Sequence, residues 1–195
     1  MMRIFENTAE EYIYTKILSD EEMNTRIVNT IDDLGDLMNH STNVKANCTF
    51  GNVHKTYSEF EKLSEIVVKS CHDFTYDLQH HNPNHISRYN NAGWRDAYVN
   101  TLDCNLMWGT RYRSGEITTP HDHWPATFAF TYYIDPPENC SGLIFPTMDY
   151  ELKIEHGMLV IFRGNLIHET VAKDFEGYRY CIAGTVVSNP SQKVA

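Results

Sequence analysis

From Leu102 to Val187 the chain is a close succession of short strand-forming runs, and this feature narrows the fold more than any other. The runs are CNLMWGTRY (104–112), EITTPHDH (116–123), TFAFTYYI (127–134), SGLIFPT (141–147), ELKIEH (151–156), MLVIFRG (158–164) and YRYCIAGTVV (178–187). Turn signals separate them at Ser114-Gly115, Pro136-Pro137, Ser141-Gly142, Gly157 and Gly164-Asn165. Several short strands at this spacing favour a sandwich or barrel over alternating β-α units. MLVIFRG reads as a central strand. In TFAFTYYI the period of two sets Phe128, Phe130, Tyr132 and Ile134 on one side and Thr127, Ala129, Thr131 and Tyr133 on the other. One side is suited to a core and the other to a lined cavity.

The first half has a different rhythm. Ser19 and Glu22 have the spacing of a capping box, and Met23, Ile27, Ile31 and Leu34 then recur on one helical face. Ser58 and Glu61 repeat the signal ahead of the stripe Phe60, Leu63, Val67, Cys71, Phe74 and Leu78. Two supporting helices are expected, followed by a surface loop through HHNPNHISRYNNAG (80–93). At 195 residues, with no repeat or linker, the chain is expected to be one domain. Its division is 1–100, mainly helical support and loop, and 101–190, the barrel core.

Charge and cysteine content exclude some roles. A formal net charge of -10 opposes binding to a phosphate backbone, so nucleic acid is an unfavoured partner. Arg111 and Arg113 qualify that, being close to the candidate site, although both are expected to sit in water. Cys48, Cys71, Cys104, Cys140 and Cys181 form no CxxC pair, so reduced packing thiols are expected in a cytoplasmic protein. No apolar run is long enough to span a bilayer, and nothing in the sequence fixes the oligomeric state.

Three of the ten histidines stand apart. His121 and His123 in PHDHWP are two residues apart, a spacing that projects both from one face of a strand. His168 in GNLIHET follows a turn after a buried strand and can reach the same point from a neighbouring strand. Three imidazoles suit Zn, Cu, Fe or Ni and leave coordination positions open. Arg179, eleven residues beyond His168, narrows the choice. A buried guanidinium is costly without a carboxylate, and its planar fork binds one bidentately. His40, His54, His72, His80, His81, His85 and His156 are read as surface or packing residues.

In this order of features the chain resembles the iron(II)- and 2-oxoglutarate-dependent oxygenases, particularly the small prolyl-4-hydroxylase-like proteins of marine phages and bacteria. The resemblance covers about Trp108 to Val187. It implies an α+β fold built on a double-stranded β-helix, the jelly roll or cupin-like barrel, with N-terminal helices in support. It further implies iron(II) held by His121, His123 and His168, and 2-oxoglutarate bound by Arg179 and Tyr112. Trp108 or Tyr132 would line the pocket, and the reaction would be hydroxylation of a peptidyl, prolyl-like or small-molecule substrate using dioxygen.

Two departures from the family pattern matter. The usual carboxylate two residues after the first histidine is replaced by His123, which leaves 2-oxoglutarate to supply most of the compensating charge. An all-histidine site also suits a cupin-like metalloenzyme without 2-oxoglutarate, and a bulge at Pro120 would instead turn Asp122 to the metal. Cys181, two residues after Arg179, stands where family members often carry a hydroxyl that touches the cofactor. A non-catalytic jelly-roll binding module is the remaining alternative. Asp122 and Glu169 are otherwise expected to solvate the rim or orient imidazoles.

Overall fold

The computed structural model describes residues 11–34, 43–81 and 102–188, with the backbone alone over 78–81. Along the chain run β1 (Ile13–Ile17), α1 (Glu21–Leu34), β2 (Asn47–Cys48), a 3-10 turn (Val53–Lys55), α2 (Ser58–His81), β3 (Leu102–Tyr112), β4 (Thr118–His121), β5 (Phe128–Ile134), β6 (Leu143–Phe145), β7 (Tyr150–Leu152), β8 (Met158–Arg163), β9 (His168–Thr170) and β10 (Arg179–Ser188). The larger sheet has the order β1-β8-β5-β10-β3-β2 and the smaller β4-β9-β6-β7. Two antiparallel sheets closing over a shared interior make the expected jelly roll.

Strand β5 shows how the sequence builds the two layers. All seven of its residues are buried, so it faces protein on both sides. Phe128, Phe130, Tyr132 and Ile134 pack with Met23, Ile27 and Ile31 of α1 and Phe60, Leu63, Val67 and Phe74 of α2. Ala129 and Tyr133 face the opposite way, into the barrel, with Leu143, Phe145, Val160 and Phe162. The alternation read from TFAFTYYI thus separates a helix-backed core from the barrel interior. Truncating a fully buried phenylalanine such as Phe74 typically costs about 3–5 kcal/mol, so the helices are firmly part of the structure. MLVIFRG, as β8, lies between β1 and β5 and is interior to the sheet.

Several local expectations need correction. Strands β1 and β2 come from the half that reads as helix and loop. Ile13–Ile17 pairs antiparallel with β8, Ile13 opposite Phe162, and Asn47–Cys48 pairs with β3. The alternation Tyr12, Ile13, Tyr14 suits a strand buried on both faces, with the tyrosines toward the helices and Ile13 toward the barrel. Helix α1 is capped by Asp20 rather than Ser19, since the Asp20 carboxylate accepts the Met23 amide at 3.1 Å. At α2 the Glu61 amide donates to the Tyr57 carbonyl, and the Ser58 hydroxyl meets Arg26 and Glu59 instead of completing a capping box. Helix α2 runs to His81, beyond the start of the expected loop at His80. The rest of that loop, with His40 and His85, lies outside the described residues. Among those described, no helix is long and apolar enough to cross a membrane.

Candidate metal centre

His121 ends β4 and His168 begins β9, and the two are direct partners in the antiparallel pairing of those strands. His123 lies past the end of β4, so it does not share a strand face with His121 as the spacing suggests. A loop-to-loop contact places it instead. The His123 amide donates to the Gly164 carbonyl at 2.6 Å, while its own carbonyl accepts the Ala126 amide at 2.8 Å. The three imidazoles converge, with ring centroids 4.4–5.1 Å apart and one potential ligand atom from each within 4.8 Å of the others. The strand register does shift between Thr118 and His121, around Pro120. It leaves Asp122 exposed, with its carboxylate accepting the Trp124 amide at 3.2 Å, outside the cluster.

Backbone carbonyls orient two of the rings. His121 Nδ1 lies 2.9 Å from the Thr119 carbonyl and His168 Nδ1 lies 3.0 Å from the Leu166 carbonyl. A carbonyl only accepts, so both Nδ1 atoms carry the proton and both Nε2 lone pairs are free for a metal. Burial, and secondarily His121, lowers the His123 pKa to about 4. Burial and the same neighbour bring His168 down to about 3. Neutral imidazole is the ligating form.

These shifts predict an acid-sensitive apoprotein. An unfolded histidine takes its proton near pH 6.5, whereas folded His168 resists until about 3. Between these values the unfolded chain holds the extra proton, so stability falls as pH is lowered. The slope is at most about 1.4 kcal/mol per pH unit for each such histidine. Denaturant titrations of chelator-treated protein from about pH 7 to about pH 5, compared with His168→Gln, isolate the contribution of His168. Identical slopes in the two proteins would refute it.

Gly164 is a positioning residue that spacing alone does not reveal. A Cβ there would run into the Ala126 backbone carbonyl, in the same loop that the Gly164 carbonyl ties to His123. Gly164→Ala is therefore expected to push the 123–126 turn outward and weaken metal binding roughly tenfold or more, as loss of an orienting partner does. Metal titration read beside a thermal melt checks this, because unchanged affinity would mean that the turn adjusts freely.

Beneath the histidines the cavity wall includes Trp108, Tyr112, Thr118, Thr131, Tyr133, Leu143, Cys181 and Arg179. Arg179 opens β10 opposite Tyr112 of β3 and is 2% exposed. Its guanidinium lies 4.8 Å from the Tyr112 ring centre and 5.2 Å from that of Tyr133. Among the described residues no carboxylate forms an ion pair with it, and its ionisable neighbours are tyrosines and cysteines. Arg179 Nε and the hydroxyls of Tyr133 and Thr131 are buried without a well-formed hydrogen bond. Arg179 Nε has no partner and the two hydroxyls share one face of β5, so a carboxylate entering beside them would meet all three as donors.

The remaining candidates divide. Tyr112 is in the wall, but its hydroxyl pairs with Thr118 at 2.6 Å. Burial raises the phenols of Tyr112 and Tyr133, keeping both neutral. Trp108 sits 6.0 Å from the His123 ring. Tyr132 does not line the cavity, because β5 turns it toward the helices, where its hydroxyl donates to Asn24. Burial pushes the Cys181 thiol up to about 11, so it stays protonated. Tyr133 and Thr131 are the site residues that motif reading passes over, although the period of two places them on the cavity face.

No protein-family model and no curated protein matches the chain. Solved structures do. A prolyl-4-hydroxylase from Pseudomonas putida superposes with a TM-score of 0.61 at 10% identity over 93% of this chain and 95% of its own. The viral collagen prolyl hydroxylase of Paramecium Bursaria Chlorella virus-1, in its 2-oxoglutarate complex, gives 0.59 at 12% identity over 88% and 94%. A Trichoplax adhaerens prolyl hydroxylase, in complex with a hypoxia inducible factor peptide fragment, gives 0.57 at 16% identity over 93% and 84%. The chain therefore shares its fold with these prolyl hydroxylases.

Proposed function

We propose that this protein is a non-haem iron(II)- and 2-oxoglutarate-dependent dioxygenase. His121, His123 and His168 are its metal ligands and Arg179 is its cofactor anchor. The observation that carries the reading is a buried guanidinium, without a carboxylate partner among the described residues, in the same cavity as three convergent imidazoles. When bound, iron and 2-oxoglutarate activate dioxygen, with loss of carbon dioxide and succinate, for insertion of oxygen into a substrate C–H bond. The protein's part is to position and to shield. Carbonyl-anchored His121 and His168 present Nε2 to the metal, and His123 closes the triad from the 123–126 turn. Arg179 takes the distal carboxylate of 2-oxoglutarate, with Tyr133, Thr131 and Tyr112 beside it as neutral donors. Tyr133, Leu143 and Cys181 exclude water. The N-terminal helices support this same domain.

For the substrate we infer a peptidyl, prolyl-like group. The likeness to prolyl hydroxylases supports it, as does the exposed Trp124 next to His123 in the chain. Trp124, 76% exposed, follows His123, and Ile167 is exposed just before His168. An aromatic presented to solvent is the kind of anchor that buries a partner's apolar side chain. Trp124→Ala is expected to raise KM severalfold with a smaller change in kcat once a substrate is found, and steady-state kinetics would show whether kcat falls instead.

The three neutral ligands favour one second reading, a cupin-like metalloenzyme that does not use 2-oxoglutarate. Anaerobic titration of the iron(II)-loaded protein with 2-oxoglutarate separates the two. The dioxygenase gives the weak visible charge-transfer band of a chelated cofactor. Bound iron without a band favours the cupin-like reading, and no bound metal removes both.

A further inference from the structure

Charge around the triad points to a further ligand. Three neutral imidazoles leave a divalent metal with its full charge, and among the described residues no carboxylate in the cluster offsets it. The two oriented rings donate to peptide carbonyls of Thr119 and Leu166, not to carboxylates. Asp122 is exposed and occupied with the Trp124 amide. Glu169 borders the cavity, but it alternates with inward-facing His168 and Thr170 on β9 and so points to the other face. Arg179, beneath, adds a positive charge. Chelating 2-oxoglutarate brings two negative charges, of which the distal carboxylate is matched by Arg179. One negative charge then faces a doubly charged metal.

On the reading of the centre given above, we propose that it holds a small coordinating monoanion, of the halide or azide class, in a position left open by the histidines and the chelating cofactor. His123 is the residue that creates this site. An aspartate in its place would neutralise the remaining charge and repel the anion. His121 and His123 are partly exposed, unlike buried His168, so solvent reaches the triad from their side. No bond of the protein is made or broken in this binding.

The test uses full-length protein loaded anaerobically with cobalt(II), whose visible spectrum reports its ligands, with and without 2-oxoglutarate. Sodium azide and sodium chloride are titrated against sodium perchlorate at equal ionic strength. The expected result is a saturable spectral change with azide and chloride that perchlorate does not produce. In His123→Asp the anion should bind at least about tenfold more weakly, since a unit charge at contact distance is worth more than that. Equal anion affinity in wild type and His123→Asp would overturn the proposal, as would a wild-type spectrum indifferent to azide and chloride. Should His123→Asp fail to retain metal, the wild-type contrast between azide and perchlorate decides alone. Failure of 2-oxoglutarate to change the spectrum would count against the dioxygenase reading, while an anion response in the same protein would still support the anion site.

Discussion

On the proposed reading, replacing Arg179 with methionine will weaken 2-oxoglutarate binding by a factor of about thirty to several thousand, the equivalent of ~2–5 kcal/mol for a buried charge-assisted pair. The same substitution will leave the cofactor-free protein as stable as wild type or more so. The reason is the state of Arg179 itself, 2% exposed, with no carboxylate partner among the described residues and an unsatisfied Nε. Burying a charge without compensation is destabilising, and an apolar replacement of similar volume removes that cost. Affinity and stability should therefore move in opposite directions, a pattern that general damage to the fold does not produce. Isothermal titration with 2-oxoglutarate and thermal melts without it give the two numbers. Undiminished affinity in Arg179→Met would end the assignment of Arg179 as the cofactor anchor.

Loss of His168 will abolish metal binding. Partners that merely orient a metal ligand are worth about 10–100-fold in affinity, so on the proposed assignment removing His168 itself, 5% exposed, is expected to exceed that range. His168 also packs against Phe162 at 4.7 Å between ring centroids, so alanine would leave a hole as well. His168→Gln keeps most of the volume and separates the two effects. Metal content by elemental analysis should fall to background in both variants, with the glutamine form melting closer to wild type. Glu169→Ala, beside it, should keep its metal. Stoichiometric metal in His168→Gln would mean that the triad is not the binding site.

How much of this was legible in the sequence depends on the range of the interactions involved. The two faces of β5 could be read directly, because strand alternation is local and every residue of that strand is buried. His121, His168 and Arg179 could be singled out because their order and spacing follow the chain. His123 could be singled out but its placement could not. Its position depends on an amide-to-carbonyl bond with Gly164, forty-one residues away, and on the absence of room for a Cβ there. Strand β1 escaped because its partner, β8, lies nearly 150 residues further on, and nothing nearby signals the pairing. Tyr132 and Tyr133 are adjacent, equally aromatic and equally buried. Which one faces the cavity follows from which face of β5 the two helices cover.

The carbonyl anchors of His121 and His168 set the mutational tolerance of the centre. Where a side chain steers a metal ligand, exchanging that side chain misdirects the metal, and ligand and helper are constrained together. Here the steering groups belong to the peptide units of Thr119 and Leu166, and every amino acid carries that group. In a saturation library selected for metal retention, position 119 should accept many residues, and position 166 should be limited by apolar packing alone. Positions 121 and 168 should accept almost none. The aim of the imidazoles is then inherited with the backbone path and survives drift in the residues beside them.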